Sequence, residues 1–273
     1  MITITKIQHT NKLYLDKYYT SKSLAKYCID KTFEIIGKEN ISEIIEPSAG
    51  TGNFSNQIEN CIAYDIVPEC KGIVKQDFLK LNIEYKKGRL IIGNPPYGRR
   101  MDLAWKFYKK SIQIADYISF ILPISQLNNT ITLYEFDLVY SEDLGKQEYS
   151  DRKLHCCLNI YKRPKSDKLN KRKQYKLKDI TIIRKDKKKY KMTNKYDVRM
   201  CHWGNTTAGK ILKDGESYSN EYKIIINNKE KHKEIKNFIL NYNWNGYVKS
   251  ISAKGLLQYH IIEVLKNNVE GIR

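Results

Sequence analysis

Apolar residues near the start of the chain recur at helical spacing. In residues 21–37 the apolar positions are Leu24, Ala25, Cys28, Ile29 and Phe33. A period of three to four residues is typical of a helix with one buried face. Thr20 or Ser21 can cap the beginning of such a helix, and Gly37 can end it. We therefore predict a helix over 21–37.

The pattern then changes to short apolar runs separated by turn residues. The runs cover 41–45, 61–66, 72–75 and 90–92, and each has the length and β-branched content of a strand. A helical segment at 102–115 precedes an apolar strand at 117–122, and two further runs at 136–140 and 155–161 suggest a hairpin. The alternation of strands and helices predicts an α/β fold with a Rossmann-like, mostly parallel sheet that closes with this hairpin.

The pattern changes again after residue 162. Residues 162–195 are crowded with Lys and Arg, beside Tyr175, Tyr190 and Tyr196, which is also the composition of a solvated linker. The stretch 199–227 is interpreted as β-rich, and a final helix is predicted at 253–266. We place the domain boundary so that residues 1–164 form one domain and residues 165–273 form a second, smaller one.

Charge is distributed unevenly between these two parts. The formal net charge is +19; residues 1–164 hold 23 Lys and Arg against 19 Asp and Glu, whereas residues 165–273 hold 26 against 11. A basic second part favours a polyanionic partner. The bias towards Lys, Ile, Asn and Tyr, which is typical of an AT-rich genome, also raises the charge, so charge alone does not establish a nucleic-acid partner.

Other features of the composition narrow the class of protein. No apolar run approaches the ~18 residues of a membrane span, and the first residues lack the apolar core of an export signal. The six cysteines form no C-x-x-C pair and have no spacing typical of a zinc site. We therefore expect a cytoplasmic protein of a prokaryotic or phage-infected cell, with no membrane partner and no bound metal.

The strongest local motif is Asn94-Pro95-Pro96-Tyr97, which follows the predicted strand 90–92. Two prolines cannot continue a strand, so they impose a rigid turn at its carboxyl end, the edge where open α/β sheets bind ligands. The Asn94 amide oxygen and the Pro95 carbonyl provide two acceptors for one NH2 group, and Tyr97 can stack on the flat ring that carries it. Acceptors of this kind stabilise the charge that develops when an aromatic amine is alkylated.

Three weaker signals precede that motif, and each alone is compatible with an ordinary turn. Residues 46–54 (EPSAGTGNF) follow the first predicted strand, and their two glycines allow the backbone to approach a ligand closely. Asp65 ends the second strand, where an acidic residue can bind ribose hydroxyls. Asp77 and Phe78 follow the third, where they can contact an adenine ring. All four signals follow successive strands, so one sheet edge would bring them together.

With these residues in view, the chain resembles the γ-class N6-adenine DNA methyltransferases. The matching residues are 46–54, Asp65, Asp77-Phe78 and 94–98, and Tyr18-Tyr19-Thr20 resembles the family's N-terminal cofactor segment. The resemblance covers residues ~15–165 and implies S-adenosylmethionine as the cofactor. One departure is the short interval from Gly52 to Asp65, which indicates a first crossover helix of only about two turns.

The resemblance also implies the residues of the site. The implied catalytic residues are Asn94, Pro95, Pro96 and Tyr97. The implied cofactor-binding residues are Tyr19, Thr20, Glu46, Ser48, Ala49, Gly50, Gly52, Asp65, Ile66, Asp77, Phe78 and Asn94. The expected reaction methylates the N6 amino group of an adenine flipped out of double-stranded DNA, in a site-specific way, with residues 165–273 recognising the target. We expect a monomer, because one chain of this class carries all the parts.

Several alternatives stay open at this point. RNA adenine, a protein glutamine side chain and the N4 group of cytosine all present an NH2 group to the same two acceptors, and a catalytically inactive nucleic-acid-binding module is a further possibility. Methylation at cytosine C5 would require a cysteine after a proline, and no cysteine of the chain follows one. The amino nitrogen does not have to lose a proton before attack, so no catalytic His, Cys or Lys is expected.

Overall fold

The computed structural model describes residues 19–149, 152–166, 168–173, 175–185, 187–204, 206–244 and 255–273. The chain divides into a first unit that ends at Arg172 and a second that begins at Lys173. The division at 164/165 remains a prediction. Asn170 contacts the first unit: its backbone N–H donates to the Glu135 carbonyl at 2.9 Å, and its side chain donates to Asp137 at 2.7 Å.

A seven-stranded sheet forms the centre of the first unit. Its strands are β1 (Glu43–Glu46), β2 (Ile62–Asp65), β3 (Val74–Lys75), β4 (Arg89–Gly93), β5 (Tyr117–Pro123), β6 (Asp137–Tyr149) and β7 (Arg152–Lys162). They lie in the order β3-β2-β1-β4-β5-β7-β6. Strands β1 to β5 pair in parallel, and β7 pairs antiparallel with both β5 and β6. The predicted fold class, a mostly parallel α/β sheet that closes with a hairpin, is confirmed.

Two helices of the first unit cover opposite faces of this sheet. Helix α1 (Lys22–Ile36) begins after Ser21, whose hydroxyl accepts from the Leu24 N–H, and it contacts β5 through buried Thr32 and Ser119, whose hydroxyl oxygens are 2.7 Å apart. Helix α2 (Asp102–Ile114) contacts β7, where the rings of Tyr108 and Tyr161 lie 5.3 Å apart. Tyr161 pairs with Ile118, the strand neighbour of Ser119, and successive residues of a strand point to opposite faces.

The first crossover is shorter than the predicted two-turn helix. Among the described residues between β1 and β2, the only helical segment is a single 3-10 turn at Ser55–Gln57. Phe54 and Ile58, on either side of this turn, are buried in the core. The chain therefore covers this part of the sheet with two apolar side chains in place of a helix.

The hairpin is longer than predicted. Strand β5 ends at Pro123, which pairs with Cys156, whereas β6 and β7 continue to pair as far as Tyr149 and Arg152. The arms of the hairpin therefore extend about four residues past the carboxyl end of β5. At ~3.3 Å per residue this overhang is about 13 Å long.

The second unit contains a separate antiparallel sheet. Its strands are β8 (Ile180–Arg184), β9 (Val198–Cys201) and β10 (Glu221–Ile226), in the order β8-β10-β9. Its helices are α3 (Lys188–Met192), α4 (His232–Asn241) and α5 (Gln258–Asn268). Strand β8 lies within the basic stretch that also fits a linker, and α4 was not predicted. The predicted final helix begins at Gln258 rather than at 253, and residues 253 and 254 lie outside the described residues.

Candidate functional site

A cavity of about 290 Å³ lies at the carboxyl ends of β1, β2 and β4. Twelve predicted site residues line it: Tyr19, Thr20, Glu46, Ser48, Ala49, Gly50, Asp65, Ile66, Asp77, Phe78, Asn94 and Pro96. Gly52, Pro95 and Tyr97 are not among its lining residues. The carboxyl ends of parallel strands meet at one edge of a sheet, which is why residues so far apart in sequence converge here.

The glycine loop after β1 is held by Asp65. The Asp65 carboxylate accepts from the Gly50 N–H at 2.7 Å and from the Val67 N–H at 2.8 Å. Gly50 has a φ of 53°, which favours glycine, and a side chain there would also stand 3.4 Å from the Tyr19 ring. Asp65 therefore fixes the conformation of the glycine loop through these two hydrogen bonds. Gly52 contributes to the same turn, because its N–H donates to the Ala49 carbonyl at 2.7 Å.

Glu46 is a buried carboxyl group in the wall of the cavity. It is 2% exposed, and its carboxyl oxygen accepts from the Ser55 N–H at 2.8 Å. Burial raises the pKa of Glu46 to about 7, an effect that the hydrogen bonds from Ser55 only partly offset and that the nearby negative charge of Asp65 increases. Glu46 therefore changes its ionisation near neutral pH.

The residues before α1 contact both the glycine loop and the proline turn. The Asn94 Nδ2 donates to the Thr20 hydroxyl at 3.2 Å, and the Asn53 Nδ2 donates to the Thr20 carbonyl at 2.8 Å. The Tyr19 hydroxyl donates to the carboxylate of Glu69, and burial, followed by this hydrogen bond, raises the Tyr19 pKa. Tyr19 and Thr20 of the predicted N-terminal segment are thus brought together with the predicted proline turn, and Tyr18 of that segment lies outside the described residues.

The proline turn is attached to the glycine loop as well. The Ser48 hydroxyl donates to the backbone carbonyl of Asn94 at 3.4 Å. Asn94 and Pro96 line the cavity, but Tyr97 is only 6% exposed and its hydroxyl lies 3.6 Å from the sulfur of Cys156 on β7. In this structure the Tyr97 ring packs into the core beside the hairpin, so its predicted contact with a substrate ring remains a prediction.

Asp77 and Phe78 lie at the beginning of a 3-10 turn after β3. The Asp77 carboxylate accepts from the Leu79 N–H at 3.0 Å and caps that turn. Phe78 is 1% exposed and stacks on Phe107 of α2, with ring centroids 5.5 Å apart. Both residues line the cavity, and both also have a structural role that sequence alone did not assign.

Eight further cavity residues were not among the predicted site residues: Pro47, Thr51, Asn53, Phe54, Gln76, Leu79, Leu103 and Phe107. Most of them are next to a predicted residue in the sequence, and this adjacency could have identified them. Leu103 and Phe107 are different. They are separated by four residues on α2, and the helical period of the predicted segment 102–115 would have placed them on one face.

The cavity is acidic. Glu46, Asp65 and Asp77 line it, and no Lys, Arg or His is among the described residues that do. Within the described parts of the chain, no cluster of three or more His, Cys, Asp and Glu side chains is arranged to hold a metal ion. No helix in those parts is long and apolar enough to cross a membrane.

Comparison with known proteins found similar solved structures. No protein-family model and no curated protein matched the chain. Among solved structures, a candidate RNA methyltransferase from Pyrococcus horikoshii is 15% identical with a TM-score of 0.45, covering 55% of this chain and 88% of that one. A candidate class I S-adenosylmethionine-dependent methyltransferase from Listeria monocytogenes is 14% identical with a TM-score of 0.43, covering 57% and 63%. A protein from Thermoplasma acidophilum is 19% identical with a TM-score of 0.39, covering 55% and 94%. We therefore base the function on the geometry of the site.

Proposed function

We propose that the first unit binds S-adenosylmethionine in the cavity and transfers its methyl group to the N6 amino group of an adenine in DNA. The observation that carries the proposal is the convergence of the glycine loop, Glu46, Asp65 and two residues of the proline turn, Asn94 and Pro96, in one cavity at one sheet edge. The Rossmann-type position of this edge suits an adenosine-containing cofactor.

The charge of the cavity supports this cofactor. S-adenosylmethionine carries a positive sulfonium and a positive ammonium group against one carboxylate, so it is a net cation. Three carboxyl groups line the cavity, and opposite charges within a few ångströms attract strongly where water is partly excluded. The product loses the sulfonium charge, so the same carboxyl groups favour binding of the substrate form over the product.

Asn94 is positioned for the methyl acceptor. Because its Nδ2 donates to Thr20, the orientation of the amide is defined, and Oδ1 is the atom that accepts from the amino group in this proposal. The Pro95 carbonyl is the second acceptor. S-adenosylmethionine held in this cavity would supply an electrophilic methyl group. Asn94 and Pro95 would hold the two amino hydrogens so that the nitrogen lone pair faces that group, and the proton lost after transfer would go to water.

Tyr97 has the role of stacking on the flipped base. Its ring is now covered beside Cys156, so this role requires that the ring be uncovered when the base enters. Replacement of Tyr97 by Ala is expected to lower the rate on every nucleic-acid substrate. An unchanged rate would remove stacking from the mechanism.

The second unit supports nucleic acid as the substrate. Arg184, Lys187, Lys188, Lys191 and Lys195 are exposed along one stretch of it, next to a Tyr196 that is 37% exposed. Lysine and arginine side chains bind phosphates without regard to sequence, so this stretch does not distinguish DNA from RNA. Extrusion of the target base costs a few kcal/mol, which such phosphate contacts can supply.

The first test is methyl transfer from labelled S-adenosylmethionine to unmethylated genomic DNA, with total RNA and a protein extract in parallel. The DNA product is digested to nucleosides and identified by mass, and we expect N6-methyldeoxyadenosine. If label appeared only in RNA or only in protein, the role of Asn94 would still hold, but the substrate would not be DNA. Absence of both label and cofactor binding would favour an inactive binding module.

Replacement of Asn94 by Ala tests the catalytic role directly. We expect methyl transfer to fall by two orders of magnitude or more, in the range found when a transition-state hydrogen bond is removed. Cofactor binding, followed by calorimetry, should survive, because eleven other predicted site residues line the cavity. Full activity in this variant would contradict the assigned role.

A further inference from the structure

A second depression in the first unit lies at the opposite end of β5 from the cofactor cavity. It is a groove of about 850 Å³, formed where β5 begins and β7 ends, and we call it the tyrosine groove. Its aromatic residues are Tyr85 and Tyr117. Tyr117 pairs with Leu90, four residues before Asn94, so about 13 Å of strand separates the groove from the catalytic turn.

The floor of the tyrosine groove is a closed network around Arg163 and Asp116. Arg163 donates to Asp116 at 3.0 Å and to the carbonyls of Ile112 and Ala115 at 2.6 and 2.9 Å. Asp116 also accepts from the Tyr85 hydroxyl at 2.8 Å and from the Gly88 N–H at 2.7 Å. Asp116 is the only acidic residue among the described residues that line the groove, and Arg163 neutralises its charge.

The rim of the groove is basic. Lys87, Lys162 and Lys165 line it and are exposed, and no carboxylate lies within ion-pair distance of their ammonium groups in the part of the chain that the structure describes. The ammonium group of Lys162 lies 5.6 Å from the centre of the Tyr117 ring. By contrast, acidic side chains and no basic ones are among the described residues that line the cofactor cavity, so the two depressions favour ligands of opposite charge.

Tyr85 adds an aromatic surface to this rim. The side chain is 47% exposed, although the Arg163 guanidinium covers its ring at 4.8 Å. A ring fixed by a hydroxyl hydrogen bond and a cation on one side is a rigid platform for a second flat group. Lysines that follow a backbone, together with aromatic rings on which bases stack, are the combination that binds single-stranded nucleic acids.

We propose that the tyrosine groove binds a segment of single-stranded nucleic acid, with its phosphates on Lys87, Lys162 and Lys165 and a base on Tyr85. A flexible strand is required because a duplex held at the catalytic edge is too stiff to bend around to this end of the sheet, given a persistence length of ~150 base pairs. The groove is separate from the methyl-transfer site, but the choice of a single strand as its ligand rests on the proposed function.

The test measures binding of a short labelled oligothymidylate by fluorescence anisotropy, without cofactor, over a range of salt concentrations. In a variant with Lys87, Lys162 and Lys165 replaced by Gln, the slope of log affinity against log salt should become shallower by about 2, since each single-strand phosphate contact contributes ~0.7. Replacement of the same lysines by Arg should restore the slope. Tyr85→Ala should weaken binding roughly tenfold and leave the slope unchanged.

The matched control replaces Lys71, Lys75 and Lys106, exposed lysines outside the groove, by Gln. It removes the same net charge, so a slope equal to that of the groove variant would mean that only net charge matters and would overturn the proposal. Binding of oligothymidylate no tighter than that of inorganic phosphate would overturn it too, because the groove would then be a small-anion site. Methylation of a short duplex reports on the proposed enzyme activity separately and should be unaffected in the groove variants.

Discussion

At the scale of a single residue, the proposed function makes cofactor binding depend on pH through Glu46. Burial raises its pKa to about 7, so at neutral pH the folded protein holds Glu46 partly protonated. A cationic ligand beside it favours the ionised form. Because protonation and cation binding then compete, affinity for the cofactor should increase as pH rises through 7.

We therefore predict that S-adenosylmethionine binds roughly tenfold more tightly at pH 8 than at pH 6, since the ionised fraction of Glu46 rises about that much across a pKa near 7. The measurement is isothermal titration calorimetry across this range. Glu46→Gln removes the titrating group and is the control. An equal pH dependence in the wild type and in Glu46→Gln would assign the effect to another group.

Asp65 holds the glycine loop, and in the proposed function it also contacts the ribose of the cofactor. Its carboxylate holds the N–H groups of Gly50 and Val67, so its loss changes the loop as well as any contact with a ribose. We predict that Asp65→Ala raises the cofactor dissociation constant by tenfold or more, since two charge-assisted hydrogen bonds are lost. Asp65→Asn retains one acceptor oxygen and should give an intermediate value. Unchanged calorimetry in Asp65→Ala would exclude Asp65 from the site.

At the scale of elements, the backbone after the proline turn adopts an unusual conformation. Gly98 has a φ of 68°, and Arg100 and Met101, which carry side chains, have φ values of 56° and 71°. Left-handed residues other than glycine cost about 1–2 kcal/mol each and concentrate at functional sites. The start of α2 is therefore joined to the candidate catalytic turn by a strained connection, which determines where Leu103 and Phe107 enter the cavity.

A pair of glycine substitutions tests this connection. A β-carbon at Gly98 would stand 2.2 Å from Asp102 and 2.9 Å from the Leu103 nitrogen, whereas at Gly72, with a φ of 85°, it would meet nothing within 4 Å. We predict that Gly98→Ala lowers the free energy of unfolding by about 2–3 kcal/mol and Gly72→Ala by about 1 kcal/mol. Chemical denaturation measures both. If the two substitutions lowered the free energy of unfolding equally, the positive φ angle alone, and not the contacts of the new β-carbon, would explain the loss.

At the scale of the whole molecule, the two units have separate hydrophobic cores. The second unit also contains a buried carboxylate, Glu221. In the second unit Glu221 is 1% exposed and accepts from Tyr190 at 2.5 Å and from Lys185 at 3.2 Å. Burial alone would raise its pKa, but the hydrogen bonds from Tyr190, the Tyr218 N–H and Lys185 outweigh burial and lower it. Glu221 therefore stabilises the second unit above its ordinary pKa, and this stability is lost as pH falls through the lowered value.

We predict that Glu221→Gln destabilises the second unit by about 3 kcal/mol at pH 7, because Lys185 and Arg199 lose their buried partner. Tyr190→Phe, which removes one hydrogen bond, should cost about 1 kcal/mol. Hydrogen exchange of β10 and of β4 reports on the two units separately. Equal loss of protection in both strands would contradict an effect confined to the second unit.

Most of the first unit was predictable because its signals are local. The apolar period placed α1 and α2 within one residue of their ends, and the strand runs fell within two residues of β1, β2, β3, β4 and β5. The rule that ligands bind at the carboxyl ends of parallel strands then brought the predicted motifs to one edge, where twelve of the residues line one cavity. The second unit was predicted less well, because its short strands lie in lysine-rich sequence where charge obscures the apolar pattern.

By itself, therefore, the sequence determined the type of sheet, the edge that carries the candidate site and the residues whose polar groups reach it, since these follow from short-range periodicity and from strand polarity. Tertiary structure alone decided which contacts those residues make. Asp65 holds the glycine loop, and Tyr97 is covered beside Cys156. Burial raises the pKa of Glu46 to about 7. The tyrosine groove is also a feature that only the tertiary structure reveals. Its residues are up to 80 positions apart in the chain, and the pairing of β5 with both β4 and β7 brings them together.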